Sequence, residues 1–201
     1  MMKKWLIWFM AAAMAFLPLM AEAEDVPYLS YSSQDGSISF LYPDTWTLLS
    51  QENLDTVLDI AQNMEELSGL MDTARAQIEQ YGMILLMSED YLSNINLILQ
   101  NVGAEMTSDL LLAAAPSIQT SISSSVSGVS FDSDPEIMDI NGRPALVIQY
   151  GYTVAGVELF GVQVYMAVGT QLCLCTLTTS VQDASDELEA MGVILGSFQL
   201  V

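Results

Sequence analysis

Histidine is absent from this chain, and lysine occurs only as Lys3 and Lys4. Beyond residue 23 the only strong cations are Arg75 and Arg143. Histidine is the usual general base near neutral pH, and lysine the usual amine nucleophile and phosphate-binding point charge. Serine activation by either residue is therefore excluded, and neither Asp-Thr-Gly nor Asp-Ser-Gly of an aspartic protease occurs. Cysteine is nearly as scarce. Cys173 and Cys175 lie two apart in an apolar alternating run, residues 171–179. Alternate residues of a strand are about 6.6 Å apart, at the far end of the disulfide range, which favours small core residues over a strained bridge. Two thiols without histidine also fall short of the four ligands structural zinc takes. With no disulfide framework, a fold built from this chain rests on its hydrophobic core.

The N-terminus has a different composition. Lys3 and Lys4 precede an apolar run, residues 5–20, and Ala21-Glu22-Ala23 follows with small residues at the positions a signal peptidase reads. The expectation is a cleaved signal peptide over residues 1–23 and one domain over 24–201, secreted, extracellular or loosely attached to the cell surface. Cleavage would take Lys3 and Lys4 from 4 cations and Glu22 from 25 anions, leaving 2 against 24 and a formal charge of −22. Nucleic acid and anionic lipid surfaces are then poor partners, because both require neutralising Lys and Arg. A protein, a cell-envelope component, a cation or a neutral ligand remains compatible.

Two short runs of aromatic and β-branched residues, 28–32 and 37–42, flank Gln34-Asp35-Gly36 and predict a hairpin. A short strand follows over 47–49. From Leu54 the apolar spacing becomes three and four, which predicts an amphipathic helix to Tyr81 ended by Gly82. Strands are expected over 83–88 and 94–101. A second helix over 109–125, capped by Thr107 or Ser108, should be interrupted or kinked at Pro116, and the serine-rich stretch 117–133 should end as a surface loop. Four strand-like runs then follow, 136–140, 143–154, 157–168 and 171–179, divided by Asn141-Gly142, Ala155-Gly156 and Gly169-Thr170. Asn-Gly between apolar runs is a strong hairpin signal and predicts an antiparallel meander. A last helix over 183–195 and an apolar tail, 198–201, complete the chain.

Three segments in this order resemble the PsbP-like superfamily. They are the opening Gly36-Ser37-Ile38-Ser39-Phe40-Leu41-Tyr42-Pro43-Asp44-Thr45-Trp46, the turn Ile140-Asn141-Gly142-Arg143-Pro144-Ala145, and the ending Gly196-Ser197-Phe198. The superfamily includes the extrinsic PsbP subunit of photosystem II, a Ran-binding nuclear-import factor and many secreted bacterial proteins. The resemblance implies an α+β fold, an antiparallel β-sheet flanked by helices on both faces in an α/β/α sandwich. It also implies a binding or assembly role rather than an enzymatic one, and it carries over no functional residue.

Candidate site residues come from the sequence itself. Tyr42, Trp46, Tyr150, Tyr152, Phe160 and Tyr165 are the aromatics available to line a ligand cleft, and Trp46 stands out because it follows a strand ended by proline. Tyr42 and Arg143 are its companions as ligand-binding candidates. Asp132, Asp134 and Glu136 form a dense acidic segment that offers oxygen ligands to calcium, although it lacks the glycine and glutamate of an EF-hand loop. The expected function is a secreted, non-enzymatic binding or assembly module at the bacterial cell exterior, with no resident cofactor. The alternatives are a carboxylate-dependent hydrolase of neutral glycans and a calcium-stabilised structural module.

Overall fold

The structure, a computed structural model, describes residues 27–54, 68–89, 92–131 and 133–200, with side chains for all of these except 68–73. The expected leader, residues 55–67 of the expected first helix, and Asp132 lie outside the described residues. Ten strands and three helices alternate among those described. The strands are β1 (Tyr28–Ser32), β2 (Ile38–Pro43), β3 (Thr47–Leu49), β4 (Ile84–Met87), β5 (Asn94–Asn101), β6 (Glu136–Ile140), β7 (Arg143–Val154), β8 (Val157–Val168), β9 (Gln171–Ser180) and β10 (Gln199–Leu200). The helices are α1 (Ser68–Tyr81), α2 (Ser108–Ser125) and α3 (Ala184–Ser197). Among the described residues no helix is long and apolar enough to cross a membrane.

The meander forms as the turn chemistry requires. Asn141 and Gly142 both take positive φ, 54° and 77°, and Ala155 and Gly156 take 52° and 84°. Two consecutive residues at positive φ make the type I′ turn whose twist matches that of antiparallel strands. Strand pairing then runs β6-β7-β8-β9, and β9 pairs with β5, which pairs with β4 and β3. All neighbours in this seven-stranded sheet are antiparallel.

The expectation of one sheet is corrected by a second. β1, β2 and β10 form a separate three-stranded antiparallel sheet, with Gln199 opposite Ser39 and Leu200 opposite Ile38. Its inward residue Phe40 is 2% exposed and stacks on Phe198 with ring centroids 6.5 Å apart. An apolar face of this kind is stable only against a core, and the pairing that supplies it spans nearly the whole chain.

The interruption admitted at Pro116 does not occur either. α2 is capped by Thr107, whose hydroxyl accepts from the Leu110 amide at 3.4 Å, and continues through Pro116 to Ser125. Proline denies the Leu112 carbonyl its helical partner. Leu112 and Pro116 both lie on the exposed side of the helix, the side on which solvent can take the place of the missing partner.

Successive residues of β7 enter different cores. Ala145 and Val147 pack in a cluster with Leu188, Met191, Ile194 and Leu195 of α3, and with Phe40 and Phe198 of the small sheet. Leu146, Ile148 and Tyr150 pack in another with Leu111, Ala115 and Ile122 of α2. A third cluster joins Ala74 and Ile78 of α1 to Leu85 and Met87 of β4. The period-two pattern that left no polar face on these strands reflects helices drawing on both sets of residues.

Candidate functional site

Among the clefts of the described surface, two gather polar side chains. The first, about 470 Å³, lies beside the β1–β2 turn and holds Asp35 and Glu52. Its polar groups already satisfy one another. Asp35 accepts from the Ser33 and Ser37 hydroxyls, each at 2.7 Å, and from the Ser37 amide at 3.0 Å. The Ser33 hydroxyl first, then that of Ser37, lowers the Asp35 carboxyl to a pKa of about 2. Glu52 accepts from the Tyr31 hydroxyl at 3.2 Å, the Gln34 amide at 3.3 Å and the Ser50 hydroxyl. Burial pushes the Glu52 carboxyl up, but these hydrogen bonds outweigh it and the net displacement is downward. Carboxylates so occupied hold a loop together and offer little to a ligand.

The second cleft, about 440 Å³, runs between α2 and the seven-stranded sheet. Ala114, Ser117, Ile118, Ser121, Ile122 and Ser125 supply the helix wall. Serines at 117, 121 and 125 share one side of a helix because they are four apart. Tyr150, Gln163, Tyr165 and Leu174 supply the floor, and no charged side chain lines the space. Tyr150 sits opposite Gly161 on β8, and its ring lies across that glycine: a Cβ there would come within 2.4 Å of Tyr150 Cε2 and Cζ. Tyr152 stacks beside it at 5.9 Å and Phe131 flanks it at 6.3 Å. The Tyr165 hydroxyl donates to Gln163 Oε1 at 2.6 Å, and Gln163 also hydrogen-bonds Tyr150. Burial, then the neighbouring phenol, raises Tyr165 to about 12; burial, then Tyr152, raises Tyr150 to about 12 against the opposing Gln163 bond. The floor is a fixed, neutral, poorly hydrated surface.

The hydroxyls of α2 divide by direction. Thr120, Ser123, Ser124 and Ser125 each donate to the carbonyl four residues back, at 2.8 to 3.0 Å. The hydroxyls of Ser117 and Ser121, which line the cleft, make no such bond and have no hydrogen-bond partner among the described residues.

The described candidates among those singled out in the sequence do not converge. Trp46 is 7% exposed and lies in the core shared with α3, not in a cleft. Tyr42 packs at the edge of that core, 6.3 Å from Phe40. Arg143 reaches across to the C-terminal segment, where its Nη1 donates to the Phe198 carbonyl at 2.8 Å. Asp134 and Glu136 are exposed, and among the described residues no group of three or more Asp, Glu or Cys could hold a metal ion. Cys173 and Cys175 are free and buried; burial raises the Cys173 thiol to about 12, against the opposing effect of Arg143, and burial, then Cys173, raises the Cys175 thiol well above its ordinary 9.0. Of the aromatics, Tyr150 and Tyr165 line the second cleft. Sequence reasoning placed these serines in a helix but drew no site from them; the four-residue spacing of Ser117, Ser121 and Ser125 was the available signal.

No protein-family model and no curated protein sequence matches this chain. Solved structures do. The solution structure of cyanobacterial PsbP (CyanoP) from Synechocystis sp. is 13% identical, with 92% of this chain and 99% of that one covered and a TM-score of 0.55. The crystal structure of LpqN, involved in cell envelope biogenesis of Mycobacterium tuberculosis, is 12% identical, covering 92% of this chain and 96% of that one at a TM-score of 0.53. The chain has a PsbP-like fold. At these identities the likeness concerns the fold alone, and function has to be argued from the site.

Proposed function

We propose that this chain is a non-enzymatic binding module, secreted after loss of residues 1–23, whose α/β/α sandwich over 24–201 holds an uncharged ligand or an uncharged part of a cell-envelope partner in the cleft under α2. The observation that carries this reading is the lining. In a chain with 25 acidic residues, the α2 cleft contains none, and its polar groups are hydroxyls and one amide. Binding pockets combine an apolar and aromatic surface with a few placed polar groups in about 300–1,000 Å³, and this cleft fits that description. Hydrolysis of a glycan needs two carboxyl groups about 5–10 Å apart across the scissile bond, and the cleft supplies neither. Activated nucleophiles are also missing from its lining, since Ser117 and Ser121 have no base beside them. The involvement of LpqN in cell envelope biogenesis agrees with an exterior location for a protein of this fold.

A thermal-shift screen of the purified protein against cationic, anionic and uncharged compounds tests the reading. Stabilising compounds should be uncharged, and their effect should vanish in Ser121→Trp, which fills the cleft from an exposed helix position. Stabilisation confined to charged compounds, or unchanged by that substitution, refutes it.

A further inference from the structure

The geometry points to a neutral oligosaccharide as the ligand of the α2 cleft, an inference that rests on the binding reading above and names its chemical class. Each wall contributes groups that match a sugar. A pyranose presents hydroxyls that both donate and accept, and a face of C–H groups that packs on aromatic and aliphatic carbon. Ser117 and Ser121 carry the same two-way hydroxyls on the helix wall, without partners among the described residues. Tyr165, half-buried on the floor, offers an aromatic face locked in place by its bond to Gln163, and Ile118 and Leu174 complete the apolar contact. Such amphipathic aromatics bind at little conformational cost because they have few rotors and a fixed ring.

The floor also continues away from α2. Gln163 faces Thr176 on β9, and Thr176 faces Asn96 on β5, so amide, hydroxyl and amide stand in one cross-strand row. Gln163 and Asn96 are half-buried, and no member of the row is charged. Thr176 is buried between them, so beyond the helix wall the row offers the two half-buried amides as neutral polar contacts.

Other classes fit this lining less well. A cation would meet no carboxylate in the cleft and an anion no Lys or Arg. Anionic glycans are further repelled by the formal charge of −21. An acyl chain would cover the Ser117 and Ser121 hydroxyls without giving them a partner, a desolvation cost that sugar hydroxyls avoid.

Isothermal titration calorimetry of the purified protein with neutral oligosaccharides built from glucose, mannose and N-acetylglucosamine tests the inference, with uronic-acid oligomers as the charged control. At least one neutral series should bind with a Kd of about 1 mM or tighter, longer members more tightly than monomers, and the uronic acids should not bind. Tyr165→Ala should weaken binding by about tenfold or more, whereas Tyr165→Phe, which keeps the ring, should cost only a few-fold. Ser121→Trp should abolish it. Absence of binding by all three neutral series to folded protein overturns the saccharide assignment, as does binding that Ser121→Trp and Tyr165→Ala leave intact. If uncharged peptides or acyl compounds stabilise the protein in a Ser121→Trp-sensitive way while the sugars do not, the saccharide is refuted and the binding cleft stands. If no uncharged compound of any class does so, both fail.

Discussion

Replacing Gly161 by alanine sets two opposing effects against each other. Gly161 lies within β8 and does not take positive φ. In such a place Gly→Ala stabilises by about 0.4–1 kcal/mol, because alanine has fewer unfolded conformations to lose. Here the new methyl would stand 2.4 Å from Tyr150 Cε2 and Cζ and 2.8 Å from its Oη. Carbon atoms in contact sit about 3.5–4.0 Å apart, so the ring must retreat by about 1 Å or more. A phenol at the surface could swing aside cheaply. Tyr150 cannot, being 5% exposed, stacked on Tyr152 and flanked by Phe131. Overpacking of this kind costs about 1–3 kcal/mol and outweighs the entropic gain.

The expected outcome is a net destabilisation of about 1–2 kcal/mol, read in calorimetric or circular-dichroism melts as a fall of roughly 2–8 °C. Tyr150→Leu removes the three atoms that collide. In a double-mutant cycle the pair should therefore be less destabilised than the sum of the single variants, with a coupling of about 1 kcal/mol. The displaced ring also has the cleft as its nearest free volume, so Gly161→Ala should weaken whatever binds there. A Gly161→Ala protein as stable as the parent, or additive costs in the cycle, would refute the argument that this glycine exists to seat the tyrosine.

Other expectations test the scaffold and its titrating groups. Arg143→Ala leaves the half-buried Phe198 carbonyl without its donor, and should cost about 1–3 kcal/mol, seen as a lower urea midpoint at unchanged slope; an unchanged midpoint would show that the contact adds nothing. Tyr31, Tyr150 and Tyr165 have folded-state pKa values of about 12 against an ordinary 10.0, chiefly through burial. Because the fold favours their protonated form, their contribution is complete below pH 10 and is lost as pH rises through about 12. A spectrophotometric titration should show late ionisation coupled to loss of circular dichroism; ionisation of all 8 tyrosines together near pH 10 without unfolding contradicts it. Asp35, displaced oppositely to about 2, contributes above its ordinary 3.8 and loses that contribution as pH falls through about 2. Its carboxyl carbon, followed by NMR, should titrate nearer the ordinary value in Ser33→Ala, Ser37→Ala, and an unmoved titration would remove the two hydroxyls as the cause.

What could be read directly from the chain was local. Asn141-Gly142 and Ala155-Gly156 announce their turns because positive φ is demanded of adjacent residues, and the strands they join have the expected boundaries to within a residue or so. Thr107 announces its helix through a hydroxyl that an amide needs. What could not be read was remote. Nothing in residues 28–43 says that their third strand is Gln199–Leu200, because pairing across the chain leaves no local trace. Pro116 argued for a break that the solvent-facing side of α2 removes. The cleft was hidden for the same reason as the second sheet: its wall, 114–125, and its floor, 150–174, are brought together only when α2 lies across β7. Trp46 attracted notice as an aromatic at a strand end, yet burial made it core.

The three segments that carry the PsbP-like resemblance meet at one place. The Leu41 amide donates to Ser197 Oγ at 2.8 Å, the Asn141 side-chain amide donates to the Gly196 carbonyl, and Arg143 donates to that of Phe198. Phe40 stacks on Phe198 inside the same core. These residues clasp the small sheet and the end of α3 to the β6–β7 turn, and all of them belong to the side of the large sheet opposite the α2 cleft. The resemblance is therefore a record of how the scaffold closes. Residues that must satisfy carbonyls at the end of α3 and seat a buried ring are constrained by packing, whatever the protein binds. The cleft-facing hydroxyls of Ser117 and Ser121 answer to no such constraint, having no hydrogen-bond partner among the described residues. Proteins of this fold at 13% identity can thus share the clasp while differing in the lining under α2, and the ligand has to be sought from that lining.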